Sequence, residues 1–205
     1  MTPIFAKAFG DQWDALPPPI KAHYANRPFT RDVVTHEGAL DITLSPVMRR
    51  FSWLLKLGGL LVPFEGKAVP VTVYTRSDAK SDSYLFERHF FPPGRPPHIF
   101  TSELVVTGPH EVIEYFRFGG GWKADYSVEN GKVVISHKGF TWRLFGHHIP
   151  LPGLLKYLFG TGGAWEAAVD ENSFAMQTAL THALHTGPLI GYAGTFRITQ
   201  VKLDG

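Results

Sequence analysis

The sequence predicts an α+β fold that is mostly β: an antiparallel meander of about ten strands curled into a barrel or half-barrel, with N-terminal helices and a short inserted helix. Three observations predict it. Aromatic residues make up 14% of the chain, with sixteen Phe and five Trp, and such rings favour strands and wide apolar interiors over a helical bundle. Beyond residue 68, segments of strand length follow one another, separated by Gly, Pro, Asn and Asp. The connections between them are short, which makes neighbouring strands antiparallel. With 205 residues, the expectation is a single domain over 1–205: a helical part over 3–25 and a β-rich body over 30–203.

Element by element, Ile4, Phe5, Ala8 and Phe9 mark one apolar helical face, continued by Trp13 and Leu16. Pro17, Pro18 and Pro19 interrupt it, and the last can open a second short helix through Ile20 and Tyr24. Over 33–44, Leu40, Ile42 and Leu44 alternate with Asp41 and Thr43, a strand pattern. Ser45-Pro46 is a helix start, with Ser as N-cap and Pro as first residue. That helix carries Val47, Phe51, Leu54 and Leu55 and should end at Gly58-Gly59. Strands are then expected over 68–75, 82–91, 98–107, 110–118, 121–129, 132–145, 164–170, 174–185 and 192–201. Asn130-Gly131, between Tyr126/Val128 and Val133/Ile135, is the strongest hairpin signal. The segment 150–159 reads as the inserted helix.

Composition excludes several classes of function. The formal charge is +2 and no basic run exists, so no nucleic-acid partner is expected. With no cysteine there are no disulfides, thiolate metal sites or cysteine nucleophiles. Residues 1–10 do not read as a signal peptide, and the apolar stretch 51–64, interrupted by Lys56, Gly58, Gly59 and Pro63, is too short to cross a bilayer. The expected location is cytoplasmic, with peripheral membrane contact the furthest departure from a soluble protein.

Scattered islands resemble an uncharacterised bacterial family, domain of unknown function 4166. They are Gly139-Phe140-Thr141-Trp142-Arg143, Ile149-Pro150-Leu151-Pro152, Trp165-Glu166, and Gly187-Pro188-Leu189-Ile190-Gly191-Tyr192-Ala193-Gly194. Upstream, Phe86, Arg88 and Phe90 match the family's aromatic-x-Arg-x-Phe strand, and Phe9-Gly10 with Leu16-Pro17 fits its opening. The resemblance implies a domain found alone or behind a saccharopine-dehydrogenase-like reductase, and so a separate reductase as a partner. It implies no reaction. The dinucleotide-binding glycine pattern of such a reductase is absent from this chain.

Strand parity sorts the polar residues, because i and i+2 share a face. Tyr84, Phe86, Arg88 and Phe90 share one, so Arg88 is either a cavity cation or an outer Arg stacked on rings. Val112, Glu114, Phe116 and Phe118 share another, which offers Glu114 as its partner in a buried pair. Arg143 and Glu166 sit near one expected rim, where they form either an ion pair or part of a site. Trp122 and Trp165 each follow glycines and are candidate plugs of a barrel end. On strand 174–185 the small face of Ala175, Gln177 and Ala179 either packs closely or keeps a cavity open.

The ten histidines lack metal-ligand spacing: His147-His148 diverge on an extended chain, and His182 and His185 face opposite ways on one strand. No metal and no cofactor are expected. The leading reading is a binding module for a small apolar or amphipathic molecule, with Arg88, Glu114, Arg143, Glu166, Phe86 and Tyr192 as candidate ligand contacts. The alternatives are an enzyme in the same cavity, with Glu114 or Glu166 as acid/base and Arg88 or Arg143 stabilising negative charge, and an accessory subunit of a reductase. The apolar segments 54–64 and 150–159 would gate such a cavity, touch a membrane or serve as core helices.

Overall fold

The computed structural model describes residues 1–53 and 62–204; the helix end expected at Gly58-Gly59 and most of the apolar stretch lie outside them. Eleven strands form one antiparallel sheet: β1 (Val33–Leu44), β2 (Gly66–Ser77), β3 (Tyr84–Phe90), β4 (His98–Gly108), β5 (Glu111–Tyr115), β6 (Gly120–Glu129), β7 (Lys132–Leu144), β8 (His147–Pro150), β9 (Thr161–Ala168), β10 (Ser173–Thr181) and β11 (Pro188–Lys202). Pairing runs β1 to β7 in chain order, then β7 with β9, β9 with β10, β10 with β11, and β11 back to β1. Ten strands therefore close into a barrel, and β8 hangs outside it on β7.

Local chemistry accounts for the turns that make this possible. Asn130 and Gly131 take φ of 51° and 76°, the left-handed pair that a tight hairpin between β6 and β7 needs. Ser45 caps α3 (Pro46–Arg50) by accepting from the Met48 amide at 3.3 Å. At β7 the register slips opposite Lys123/Ala124, and Gly139 takes φ 152° in the bulge. The segment expected as the inserted helix is helical over 153–159, a 3₁₀ turn running into a short α-helix, and an unexpected strand precedes it. Phe145 (φ 49°) and Gly146 (φ 80°) turn the chain back, and residues 147–150 pair with β7 before α4 (Lys156–Phe159) forms.

The helical N-terminal part is two short helices, α1 (Ala6–Phe9) and α2 (Pro18–His23), linked by a 3₁₀ turn. They plug one end of the barrel. Phe5 packs its ring on Tyr24, Tyr84 and Tyr126, with centroids 4.4 to 5.5 Å apart. The His110 amide donates to the Ala8 carbonyl, and Gln12 bonds the backbone of Val128 in both directions. Phe5, Phe9 and Ile20 are fully buried.

Phe5→Ala should cost about 3–5 kcal/mol, because the hydroxyls of Tyr24 and Tyr84 are hydrogen-bonded to Glu166 and to the His23 carbonyl, which keeps their rings from collapsing into the void. Chemical denaturation of the single variant measures this; a cost near zero would mean that the plug is not part of the folded core.

Candidate functional site

Residues directly opposite in an antiparallel ladder share a face, so the register can be followed around the ring. His36 faces Val73, Val73 faces Arg88, and Arg88 faces Phe100. Leu104 faces Glu114, Glu114 faces Trp122, and Trp122 faces Phe140. Val133 faces Glu166, which faces Met176, while Thr178 faces Tyr192 and Tyr192 faces Ile42. All of these side chains point inward. Phe86, two residues from Arg88 and opposite Ser102, joins them. Of the six candidate ligand contacts read from the sequence, five are thus on the inner wall.

Arg88 and Glu114 form the central pair expected of them. Arg88 Nη2 donates to Glu114 Oε1 at 2.8 Å and its Nη1 donates to Ser102 Oγ at 3.2 Å. The guanidinium lies between the rings of Phe86 and Phe100, 3.9 and 4.5 Å from their centroids. Glu114 also accepts from Ser102 at 2.6 Å and from Trp122 Nε1 at 2.7 Å. Burial works to raise its carboxyl, but Arg88, Ser102 and Trp122 together hold it below the ordinary value.

A second cluster lies across the interior, and only Glu166 of its members was singled out above. The Val73 carbonyl can only accept, so His36 Nδ1 carries the proton in their 3.3 Å contact. His36 Nε2 is then a lone pair, and His23 Nδ1–H donates to it at 2.9 Å. That leaves His23 Nε2 as a lone pair facing Glu166 Oε1 at 3.7 Å. Tyr24 donates to Glu166 Oε2 at 2.7 Å. Burial lowers His36 to about 4; burial, His36 and Arg88 together lower His23. Both rings are neutral near pH 7, in keeping with this proton order. Burial pushes the Glu166 carboxyl up to about 7, against the Tyr24 hydrogen bond and the charge of Arg88. The two inward-facing carboxylates thus have opposite character: Glu114 is a saturated anion, while Glu166, pushed up to about 7, exchanges a proton near neutrality.

Tyr192 serves a different contact. Its hydroxyl accepts from the Val62 amide at 2.9 Å and ties down the end of the β1–β2 connection. Arg143 is not in the interior. Thr141 and Arg143 share the outward face of β7, and Arg143 pairs with Glu103 at 2.5 Å beside the Tyr115 ring, whose hydroxyl bonds His148. The barrel wall separates it from Glu166, so the expected rim pair does not exist. Trp165 also lies outside, where its Nε1 donates to Gln177 at 3.2 Å, and only Trp122 faces in. On β10 it is the Phe174/Met176/Thr178/Leu180 face that lines the interior; Ala175, Gln177 and Ala179 face out. His182 and His185 fall beyond the end of β10, in a turn, where strand parity does not apply.

The interior is packed unevenly. Around the plug, Tyr84, Val112 and Ala124 are buried. In the other half, Phe86, Phe116, Trp122, His137, Met176 and Thr178 are only half-buried although they face inward. Arg88 and Glu114 keep 17% and 15% of their side-chain surface accessible. His137 stands in this half because the Gly139 bulge turns both His137 and Phe140 inward, three residues apart. Its ring is stacked on Trp122, and its Nε2 is buried with no hydrogen-bond partner among the described residues.

Among the described residues no group of three His, Asp or Glu side chains could hold a metal ion, and no helix is long and apolar enough to cross a membrane.

Two expected outcomes follow from the charges. Arg88→Met should cost about 3 kcal/mol by leaving Glu114 without its cation, and the double variant Arg88→Met/Glu114→Leu should recover most of it in denaturant titrations. Glu166 holds its proton more tightly folded than unfolded, so its contribution to stability is full below about 4.5 and is lost as pH rises through about 7. Glu166→Gln removes that loss: between these limits the stability of the variant should gain on the parent by about 3 kcal/mol. A pH-independent difference would place Glu166 in contact with bulk water.

A family model described as a domain of unknown function matches residues 16–196, which spans every strand of the barrel at least in part. No curated protein and no solved structure matches the chain. The islands that carry the resemblance have physical roles here: Gly139 makes the bulge, Glu166 and Tyr192 face the interior, and a Cβ on Gly194 would lie 2.0 Å from the Ala39 carbonyl oxygen across the β1–β11 seam. The chain belongs to the family of domain of unknown function 4166.

Proposed function

We propose that the protein is a binding module for a small amphipathic molecule held in the unplugged half of the barrel. The observation that carries this reading is the half-buried state of side chains that face inward on a closed ring. The accessible wall is mostly apolar, with a few placed polar groups, as in small-molecule sites generally. The apolar part of the ligand would lie against Phe116, Trp122, Met176 and Leu180. Its polar end would meet the Arg88–Glu114 pair, which keeps part of its side-chain surface accessible. Because Arg88 is already neutralised by Glu114, the reading favours a neutral or zwitterionic head over a free acid.

The state of Glu166 supports a second reading, an enzyme in the same space. A carboxyl that titrates near 7 and is hydrogen-bonded by Tyr24 has the proton affinity of a general acid/base, whereas Glu114 is engaged by three donors and does not. Arg143, outside the wall, has no part in it.

Native mass spectrometry of the protein purified from its own host should find a retained small molecule. In solution, neutral amphiphiles should change the fluorescence of Trp122, and Trp122→Phe should remove the change. Thr178→Trp, which fills the accessible half, should abolish binding while leaving the fold intact. Retained binding in Thr178→Trp would move the site elsewhere. Turnover of the retained molecule that is lost in Glu166→Gln would favour the enzyme.

A further inference from the structure

The two ends of the barrel differ in chemistry. Five connections join successive strands at the unplugged end: the one between Leu44 and Gly66, of which residues 45–53 and 62–65 are described, and those over 91–97, 116–119, 145–160 and 182–187. The tips of these turns expose large apolar side chains: Trp53 61%, Phe118 69%, Phe145 92%, Leu158 67% and Leu184 90%. Such residues scattered singly need no explanation, but here they recur on separate connections of one end. Their charges share a sign. The described residues of these turns carry Arg49, Arg50, Arg95, Arg117 and Lys156 against Glu65 alone, a net +4. The segments at the plugged end, 1–32, 78–83, 109–110, 130–131, 169–172 and 203–204, carry five Lys or Arg against eight Asp or Glu, a net −3. A formal charge of +2 for the whole chain conceals this polarity.

We propose that the unplugged end docks on the surface of a bilayer containing anionic lipid, with the aromatic and leucine tips entering the headgroup region and the basic side chains facing lipid phosphates. Apolar side chains flanked by Arg and Lys are the composition that such an interface selects, and the acidic opposite end orients the barrel in the surface field. A protein partner would need an acidic, apolar counter-surface of matching shape; a bilayer meets several separate tips without one. The same end opens on the accessible half of the interior, where Phe159 of α4 packs on the inward-facing Phe140, 5.7 Å between centroids. His182 in the β10–β11 turn contacts the Tyr157 carbonyl at 2.8 Å and links two of the docking turns. The proposal does not require an interior ligand.

Co-sedimentation of the full chain with phosphatidylcholine vesicles, with and without about a third phosphatidylglycerol, tests it. Binding should need the anionic lipid and should largely disappear near 1 M salt, where charges are screened beyond about 3 Å. Phe145→Asp/Leu184→Asp, at two tips with no packing to lose, should weaken binding at least tenfold, and Arg117→Glu about tenfold. Val169→Asp, an exposed apolar residue at the plugged end, should leave it unchanged. Equal binding to neutral vesicles, no binding, or equal loss in Val169→Asp overturns the proposal. A dimer in sedimentation equilibrium that Phe145→Asp/Leu184→Asp dissolves also overturns it, since the face is then a contact between copies. Trp122 fluorescence with soluble amphiphiles uses no vesicles, so the interior site and the docking face fail separately.

Discussion

A ring of ten strands is wider than its own side chains can fill, and most of this structure follows from that mismatch. The ring closes because β1 and β11 pair along their lengths, from Val33 with Lys202 to Leu44 with Ile190. Once closed, it must be packed from within or left accessible. Here both solutions occur along one axis. Residues 4–24 supply the missing volume at one end, and Phe5 and Phe9 do for the barrel what its inward tyrosines cannot do alone. The helices stop there, and beyond them the wall stays half-covered.

The plug also creates the electrostatics of the interior. By bringing His23 and Tyr24 inside, α2 surrounds Glu166 with groups that cannot ionise cheaply in that position. Glu114, on the other wall, has a cation and two neutral donors and remains an anion. The difference lies in the partners and not in the side chain. It gives one small interior both a fixed ion pair and a proton-exchanging group, a contrast that suits orientation of a polar head as well as acid/base chemistry.

Much of the ring was legible in the sequence because a strand announces itself by parity. The alternation around Tyr84, Phe86, Arg88 and Phe90, set against Val112 and Glu114, led to the central pair directly. The same parity, extended back from Leu40, Ile42 and Leu44, puts His36 on the inner face, a step that apolar counting misses because the residue is polar. Other contacts left no local trace. Nothing near His23 or Tyr24 tells that a helix enters a barrel and meets a carboxylate 142 residues later. Parity also misled where it was broken. The bulge at Gly139 changes which residues of β7 face inward, and Arg143, expected on a rim beside Glu166, falls on the outer wall. The helix expected over 150–159 forms over 153–159, but the strand ahead of it, folded back on β7 by the left-handed Phe145 and Gly146, had no signal in the parity of β7.

The β1–β11 seam has a consequence for the order in which the molecule is made. β1 has only one of its two neighbours until more than 140 further residues have been synthesised, and the plug cannot meet Glu166 until β9 exists. Contacts this distant in sequence make folding slow, since the loop must close before they form. Throughout that interval the nascent chain carries an open, twelve-residue strand edge backed by apolar side chains, the kind of surface on which chains join one another. The feature that makes the finished barrel free of edges is the one that leaves its precursor most exposed to aggregation.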